Sequence, residues 1–164
     1  MAITMSDAIA NVKTNFYTVY IRNTSANIAA TDYDTLAHWN TFLALFTNIG
    51  QCENENVKLS GTPSNDIVVN SGKKVFTTKD WAFEAKYVQA TPADVGKIET
   101  DLLGNKMDIL LVDTVNAKFI YIYNQELYYT EEESSGNVAA YTLRNEQVRP
   151  IDSSYRTIGA IPSA

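Results

Sequence analysis

The chain has 164 residues, 45% of them hydrophobic, and a formal net charge of −6 at pH 7. That length suits one domain with a core large enough to need no cross-links. The acidic balance argues against a protein that holds nucleic acid through Lys and Arg on its phosphates, and a single cysteine excludes an internal disulfide or a Cys-based metal site.

The first residues, 1–14, lack the basic start and apolar run of a secretory signal, and no apolar stretch approaches the ~20 residues that span a bilayer. We therefore expect a protein that is made in the cytoplasm and does not contact a membrane.

Residues 15–23, "NFYTVYIRN", are rich in aromatic and β-branched side chains, which predicts a strand. A helix is predicted next, over about 33–48, because apolar residues recur there at spacings of three and four. They are Leu36, Trp39, Leu43 and Phe46.

From Gln51 onward the pattern changes to short β segments. "NENVKLSG" alternates weakly and indicates a strand, and "TPSN" predicts a turn because Pro63 fixes φ and Asn65 tolerates a left-handed backbone. "DIVV" and "KVFTT" flank "NSGK", which is typical of a β-hairpin. "WAFEAKYV" follows with apolar residues on one face and Glu84 and Lys86 on the other, the pattern of a half-buried strand.

A second helix is predicted from Thr91, which caps it ahead of Pro92, to Gly104, which ends it. Two hydrophobic strands, "MDILLVDT" and "FIYIYN", follow, then a turn near Gln125 and the strand "LYYTE". An acidic loop is predicted over 131–137. "VAAYTLRNEQVR" is the last strand candidate, and the tail after it has no periodicity.

Strands therefore outnumber helices, and they do not alternate with them as in a parallel doubly wound sheet. We expect a mainly β fold with one or two helices (α+β), in the form of an antiparallel sandwich or barrel with a helix packed on it. The expected organisation is an N-terminal arm over 1–14, a single β-rich domain over 15–149 and a C-terminal arm over 150–164.

Two stretches resemble nucleotide-binding motifs, and neither has the required surroundings. Gly72-Lys73 lacks the earlier glycine and the following helix of a phosphate loop. Asn105, Lys106 and Asp108 match the guanine-reading pattern Asn-Lys-x-Asp, yet the hydrophobic strand that should precede this motif follows it. Both stretches are more simply explained as turns or loops beside strands.

No catalytic, metal-binding or cofactor-binding residue is predicted. His38, the only histidine, cannot form a His-pair metal site and is expected on the surface or partly packed. A nucleophile pair of Cys52 and His38 stays open as an alternative, since it needs only that the two side chains lie within hydrogen-bond reach. A carboxylate pair for glycosidase chemistry also stays open among the 19 acidic residues.

The order of elements in the second half of the chain resembles that of a known protein family. A strand, "WAFEAKYV", leads into the short capped helix of "QATPADVGKIETDLLGNK", and the strands "MDILLVD" and "KFIYIYN" follow. This order, over roughly residues 55–149, is similar to the tail-tube family of bacteriophages, which includes ring or adaptor proteins of short-tailed phages. A head–tail connector protein would share it. The resemblance implies a small β-sandwich with a helix against its sheet, assembled into rings through which DNA passes.

The resemblance also implies a structural virion protein, a homo-oligomeric ring of roughly six or twelve copies that contacts other tail or connector proteins. No cofactor is expected. No specific DNA contact is expected either, because an acidic lumen would repel the duplex and let it slide. The interface is expected in the acidic loop and the C-terminal arm, whose apolar side chains would gain from docking on another chain. The residues are Glu131, Glu132, Glu133, Tyr155, Ile158 and Ile161.

A monomeric or dimeric binding module is the main alternative, with Trp81 or exposed tyrosines as stacking platforms for carbohydrate or another surface. The 10 tyrosines cluster in stretches such as "FIYIYNQELYY". Because that stretch has no interleaved Arg or Lys, stacking on nucleic acid is disfavoured. Strand cores and protein interfaces explain such tyrosines better.

Overall fold

A computed structural model describes residues 16–49, 52–87, 100, 104–132, 140–145 and 156–164. In these residues the chain is mainly antiparallel β-sheet with one α-helix and a 3-10 turn. The helix is α1 (Leu36–Leu43), and the strands are β1 (Thr18–Asn23), β2 (Thr47–Asn48), β3 (Cys52–Val68), β4 (Lys74–Tyr87), β5 (Lys106–Asp113), β6 (Lys118–Glu132), β7 (Ala140–Asn145) and β8 (Arg156–Ala160). The predicted mainly β, α+β class is confirmed. No helix among the described residues is long and apolar enough to cross a membrane.

The strands form one connected sheet in the order β2-β1-β5-β6-β7-β4-β3, with β8 beside β6 off this path. All of these neighbours pair antiparallel. β6 joins two parts of the sheet, since residues 118–126 pair with β5 and residues 127–132 pair with β7. We call the part with β1, β2, β5 and β8 the first sheet segment and the part with β3, β4 and β7 the second.

A β-bulge in β6 lets this strand serve both segments. The pairing of β5 with β6 shifts by one residue at this point, and Asn124 has a positive φ of 59°, which asparagine tolerates better than most residues. Successive side chains of a strand point to opposite faces of the sheet. One extra residue therefore reverses the faces of all residues that follow it in β6. Ile122 and Leu127 lie an odd number of residues apart, yet both reach the same core. The turn predicted near Gln125 is therefore wrong.

Two hydrophobic cores lie on opposite faces of the first segment. One core lies between the two segments and draws on both: Val19, Ile21, Phe83, Ala85, Met107, Ile109, Leu111, Ile122, Leu127 and Leu143. The other, which we call the aromatic core, lies between the first segment and α1: Trp39, Phe42, Phe46, Leu110, Val112, Phe119 and Tyr121. Alternation along β5 supplies both cores, and α1 packs on the sheet as predicted.

α1 begins later and ends earlier than the predicted helix over 33–48. The Thr35 hydroxyl accepts the His38 N–H at 3.2 Å and caps the first turn. After Leu43 the chain continues through turns into β2. Phe46 is nevertheless buried in the aromatic core, which explains why its spacing indicated a longer helix.

The turn predicted at Pro63 and Asn65 is wrong, because β3 continues through both positions. Pro63 lies opposite Lys79 of β4, and the strands keep the same register on both sides of Asn65. β3 stands at the end of the sheet order, and an edge strand tolerates proline since the missing N–H is not needed on its open side.

Two segments predicted to be irregular are also strands. Glu131 and Glu132 pair with β7 instead of opening a loop, and residues 156–160 form β8 instead of a free C-terminal arm.

Gly104 has a φ of 72°, as expected after the end of a helix. Apart from Thr100, the predicted helix before Gly104 lies outside the described residues, and so does the predicted arm over 1–14.

Candidate interaction surfaces

The β3–β4 hairpin reaches well past the described residues of its neighbour β7. β4 pairs with β7 over residues 84–87, whereas among the described residues 62–68 and 74–80 pair only with each other. We call residues 62–80 the hairpin arm. At about 3.3 Å per residue each of its two strands is roughly 20 Å long. The hairpin was predicted at "NSGK", but its length was not.

The tip of the hairpin arm, Val68 to Lys73, is a tight turn with exposed apolar and basic side chains. The Gly72 N–H donates to the Val69 carbonyl at 2.8 Å, and the Val69 N–H donates to the Lys73 carbonyl at 3.0 Å. Gly72 has a φ of 75°, which glycine adopts without steric cost. Val68 is 64% exposed, Val69 is 40% exposed, and Lys73 is exposed beside them. Gly72-Lys73 therefore forms a hairpin turn followed by a strand, as the sequence predicted.

The C-terminal segment is a second surface, and much of it is bound to its own chain. β8 pairs with the first half of β6. The Ile161 N–H donates to the Ala117 carbonyl at 2.9 Å, and the Ile161 side chain packs on the aromatic core. Ile158 is 59% exposed and remains available to a partner. Tyr155, the third residue predicted for an interface in this segment, lies outside the described residues.

Two of the three acidic residues predicted for the interface, Glu131 and Glu132, lie at the end of β6 in the second sheet segment. Glu131 pairs with Tyr141 of β7, and Tyr141 pairs in turn with Tyr87, the last residue of β4. Glu132 ends β6. Glu133 and the rest of the predicted acidic loop lie outside the described residues.

A buried polar cluster, centred on Asp108, lies on the α1 side of the first segment. Asp108 is fully buried. Its carboxylate accepts four hydrogen bonds: from Arg22 Nε at 2.9 Å, the Tyr121 hydroxyl at 2.8 Å, the Thr24 hydroxyl at 3.0 Å and the Asn124 N–H at 2.9 Å. The last of these holds the bulge in β6. Asp108, which completes the Asn-Lys-x-Asp pattern, therefore serves the fold and is not exposed to a base.

Arg22 connects this cluster to the aromatic core. Its guanidinium lies 4.6 Å from the ring centre of Phe46 and 5.3 Å from that of Phe42, within the range of cation–π attraction. Burial lowers the pKa of Arg22, but hydrogen bonds to Tyr121 and Asp108 outweigh it, so the pKa is raised overall. Burial, followed by the hydrogen bond to Asp108, raises the pKa of Tyr121. Arg22 therefore stays charged and Tyr121 stays neutral at physiological pH.

Of the two residues considered as a nucleophile pair, the structure describes the side chain of His38 but not that of Cys52, so their pairing stays a prediction. His38 lies on the exposed face of α1, with Nδ1 2.6 Å from Asp34 Oδ1, and this hydrogen bond lowers the pKa of Asp34. The side chains of Cys52 and Trp81 lie outside what the structure describes. Within the described residues, no three His, Cys, Asp or Glu side chains form a group that could hold a metal ion.

The hairpin arm and exposed side chains such as Ile158 are thus among the surfaces that the described residues offer to a partner. No protein-family model matches the chain, and no curated protein matches it significantly. The functional conclusion therefore depends on these surfaces and on the order of elements in the sequence.

Proposed function

We propose that the protein is a structural subunit of a phage tail or head–tail connector, which assembles with copies of itself into a ring or tube for the passage of DNA. Its role is geometric, with the sheet edges and the hairpin arm as contact surfaces. The element order over residues 55–149, which resembles that of tail-tube proteins, the antiparallel sheet and the acidic composition support the proposal.

The hairpin arm is the observation that carries the proposal. A two-stranded hairpin without further packing is at best marginally stable in water, and the two strands of the arm have only each other as partners among the described residues. Exposed strand edges of this kind readily pair with another chain. Contact with a second copy would also bury Val68 and Val69, and full burial of an aliphatic side chain contributes about 1.5–3 kcal/mol.

The charge of the chain suits a conduit for DNA. A wall that binds phosphates would hold the duplex in place, since Lys and Arg contacts dominate affinity for nucleic acid. With a net charge of −6, a ring of copies would repel DNA on average and favour its movement.

Assembly of the purified protein tests the proposal. We expect the wild type to form rings or short tubes in negative-stain electron microscopy and to sediment as a large species. Val68→Ser combined with Val69→Ser should reduce assembly and leave the stability of the subunit unchanged, because these side chains are already exposed. Leu45→Ser combined with Val115→Ser removes exposed apolar side chains elsewhere and should assemble normally. A wild type that stays monomeric at high concentration would contradict the proposal.

A further inference from the structure

We infer that two buried amide side chains, Gln125 and Asn145, hold the two sheet segments together at the bulge in β6 and fix the angle between them. We call this pair the amide clamp. The hairpin arm extends from the second segment, so the amide clamp also sets the direction of the arm relative to the first segment. The inference goes beyond the proposed function, because it concerns the shape of a single subunit.

The hydrogen bonds of the amide clamp run in one direction, from β4 to β6. The Phe83 N–H donates to Asn145 Oδ1 at 2.7 Å, and Asn145 Nδ2 donates to Gln125 Oε1 at 3.4 Å. Gln125 Nε2 then donates to the Tyr123 carbonyl at 3.0 Å. A backbone donor at one end and a backbone acceptor at the other determine which atom of each amide is the oxygen. Neither amide can therefore turn over without losing two of these bonds.

The bond between the two amides is the point where the clamp crosses from one segment to the other. Asn145 is the last residue of β7, whereas Gln125 lies opposite Met107 of β5. The residue before it, Asn124, donates its N–H to Asp108 of β5 at 2.9 Å. Asn124 is therefore held to the first segment, and the side chain of Gln125 to the second. At 3.4 Å the bond between the amides is the longest of the three, so it would break first if the segments moved apart.

Burial makes the amide clamp specific for one angle. Gln125 is 8% exposed and Asn145 is 7% exposed, so a broken bond leaves a polar group with little access to water, which is costly. The core between the segments is apolar, and apolar attraction has no preferred direction. A hydrogen bond, in contrast, weakens steeply as it departs from linearity, and buried polar groups specify one arrangement of the surrounding elements in some proteins. The clamp therefore selects one angle from those that the apolar core alone would permit.

A distance measurement between two spin labels tests the amide clamp. The labels are attached at Ala37→Cys on α1 and Lys58→Cys on β3, both exposed, in a Cys52→Ser background. Dilution with excess unlabelled protein ensures that pulsed electron paramagnetic resonance reports distances within one chain. Asn145→Leu and Gln125→Met each remove one amide with little change in volume. We expect each to shift the mean distance or widen its distribution by about 2 Å or more, the scale of sliding between packed elements.

Asp113→Ala is the matched control. Asp113 is fully buried and accepts three hydrogen bonds at the turn between β5 and β6. This turn lies at the opposite end of β5 from the bulge, so the control should leave the distance distribution unchanged. If circular dichroism shows that Asn145→Leu does not fold, Gln125→Met decides the matter, because it keeps the acceptor of the Phe83 N–H.

A folded clamp variant with the distance distribution of the labelled parent protein overturns the inference, and so does an equal change in the control. Neither result bears on the proposed function, because the assembly of the protein is measured separately.

Discussion

Gly159→Ala is expected to destabilise the fold by about 1–2 kcal/mol, because it crowds β8 against a buried ring. A Cβ at this position would lie 2.5 Å from Cζ and 2.6 Å from Cε1 of Phe119. The ring has no room to retreat, since Phe119 is fully buried and its centre lies 4.8 Å from that of Trp39 and 5.1 Å from that of Tyr33. Overpacking costs about 1–3 kcal/mol, and the reduced freedom of the unfolded chain offsets about 0.4–1 kcal/mol of that cost.

Urea unfolding in a double-mutant cycle isolates this clash. Phe119→Leu removes the ring atoms in question, so Gly159→Ala in that background should cost less than about 0.5 kcal/mol. Amide hydrogen exchange in β8 should become faster in the Gly159→Ala single variant, because β8 is the element displaced. An unchanged free energy of unfolding, or an equal penalty in both backgrounds, would refute the packing of β8 on Phe119.

Two further predictions concern the buried polar cluster. Asp108→Ala leaves Arg22 charged without its carboxylate and should lower the free energy of unfolding in urea by about 3–5 kcal/mol. Asp34→Ala removes an exposed carboxylate and should leave the free energy of unfolding nearly unchanged. Similar effects of the two substitutions would contradict the pairing of Asp108 with Arg22. The raised pKa of Tyr121 means that the folded phenol keeps its proton where the unfolded phenol, with an ordinary pKa of 10.0, loses it. This stabilisation is present below pH 10.0 and is lost as the pH rises through the folded-state pKa. The free energy of unfolding should therefore fall as the pH rises above 10.0, and Tyr121→Phe should make that fall less steep. The same dependence on pH in this variant and in the wild type would refute the role of Tyr121.

The sequence predicted best those elements whose side chains alternate or recur against a core. Phe83 and Ala85 of β4 are buried, while Glu84 and Lys86 are only partly covered, as their alternation indicated. β8 has no such alternation. Its position depends on a glycine that fits against the Phe119 ring, and that contact exists only in the folded chain. The bulge at Asn124 was missed for a similar reason, because an asparagine between strand residues is equally typical of a turn.

The buried polar cluster left a signal in the sequence, although its partners could not be deduced. Asp108 stands between Met107 and Ile109 in a hydrophobic strand, and Arg22 directly follows Ile21. A charge in such a run is costly to bury unless it is paired, so each residue required a partner. The two lie 86 positions apart, and no spacing rule connects residues at that distance. Only the pairing of β1 with β5, which sets Arg22 opposite Asp108, reveals the pair.

A cryo-electron microscopy map of the assembled protein tests most directly whether the hairpin arm binds another copy of the chain. We expect the tip, Val68 to Lys73, to lie in continuous contact with a neighbouring copy. Assemblies whose hairpin arms stand free in solvent, or a protein that remains a monomer at every concentration, would contradict the claim.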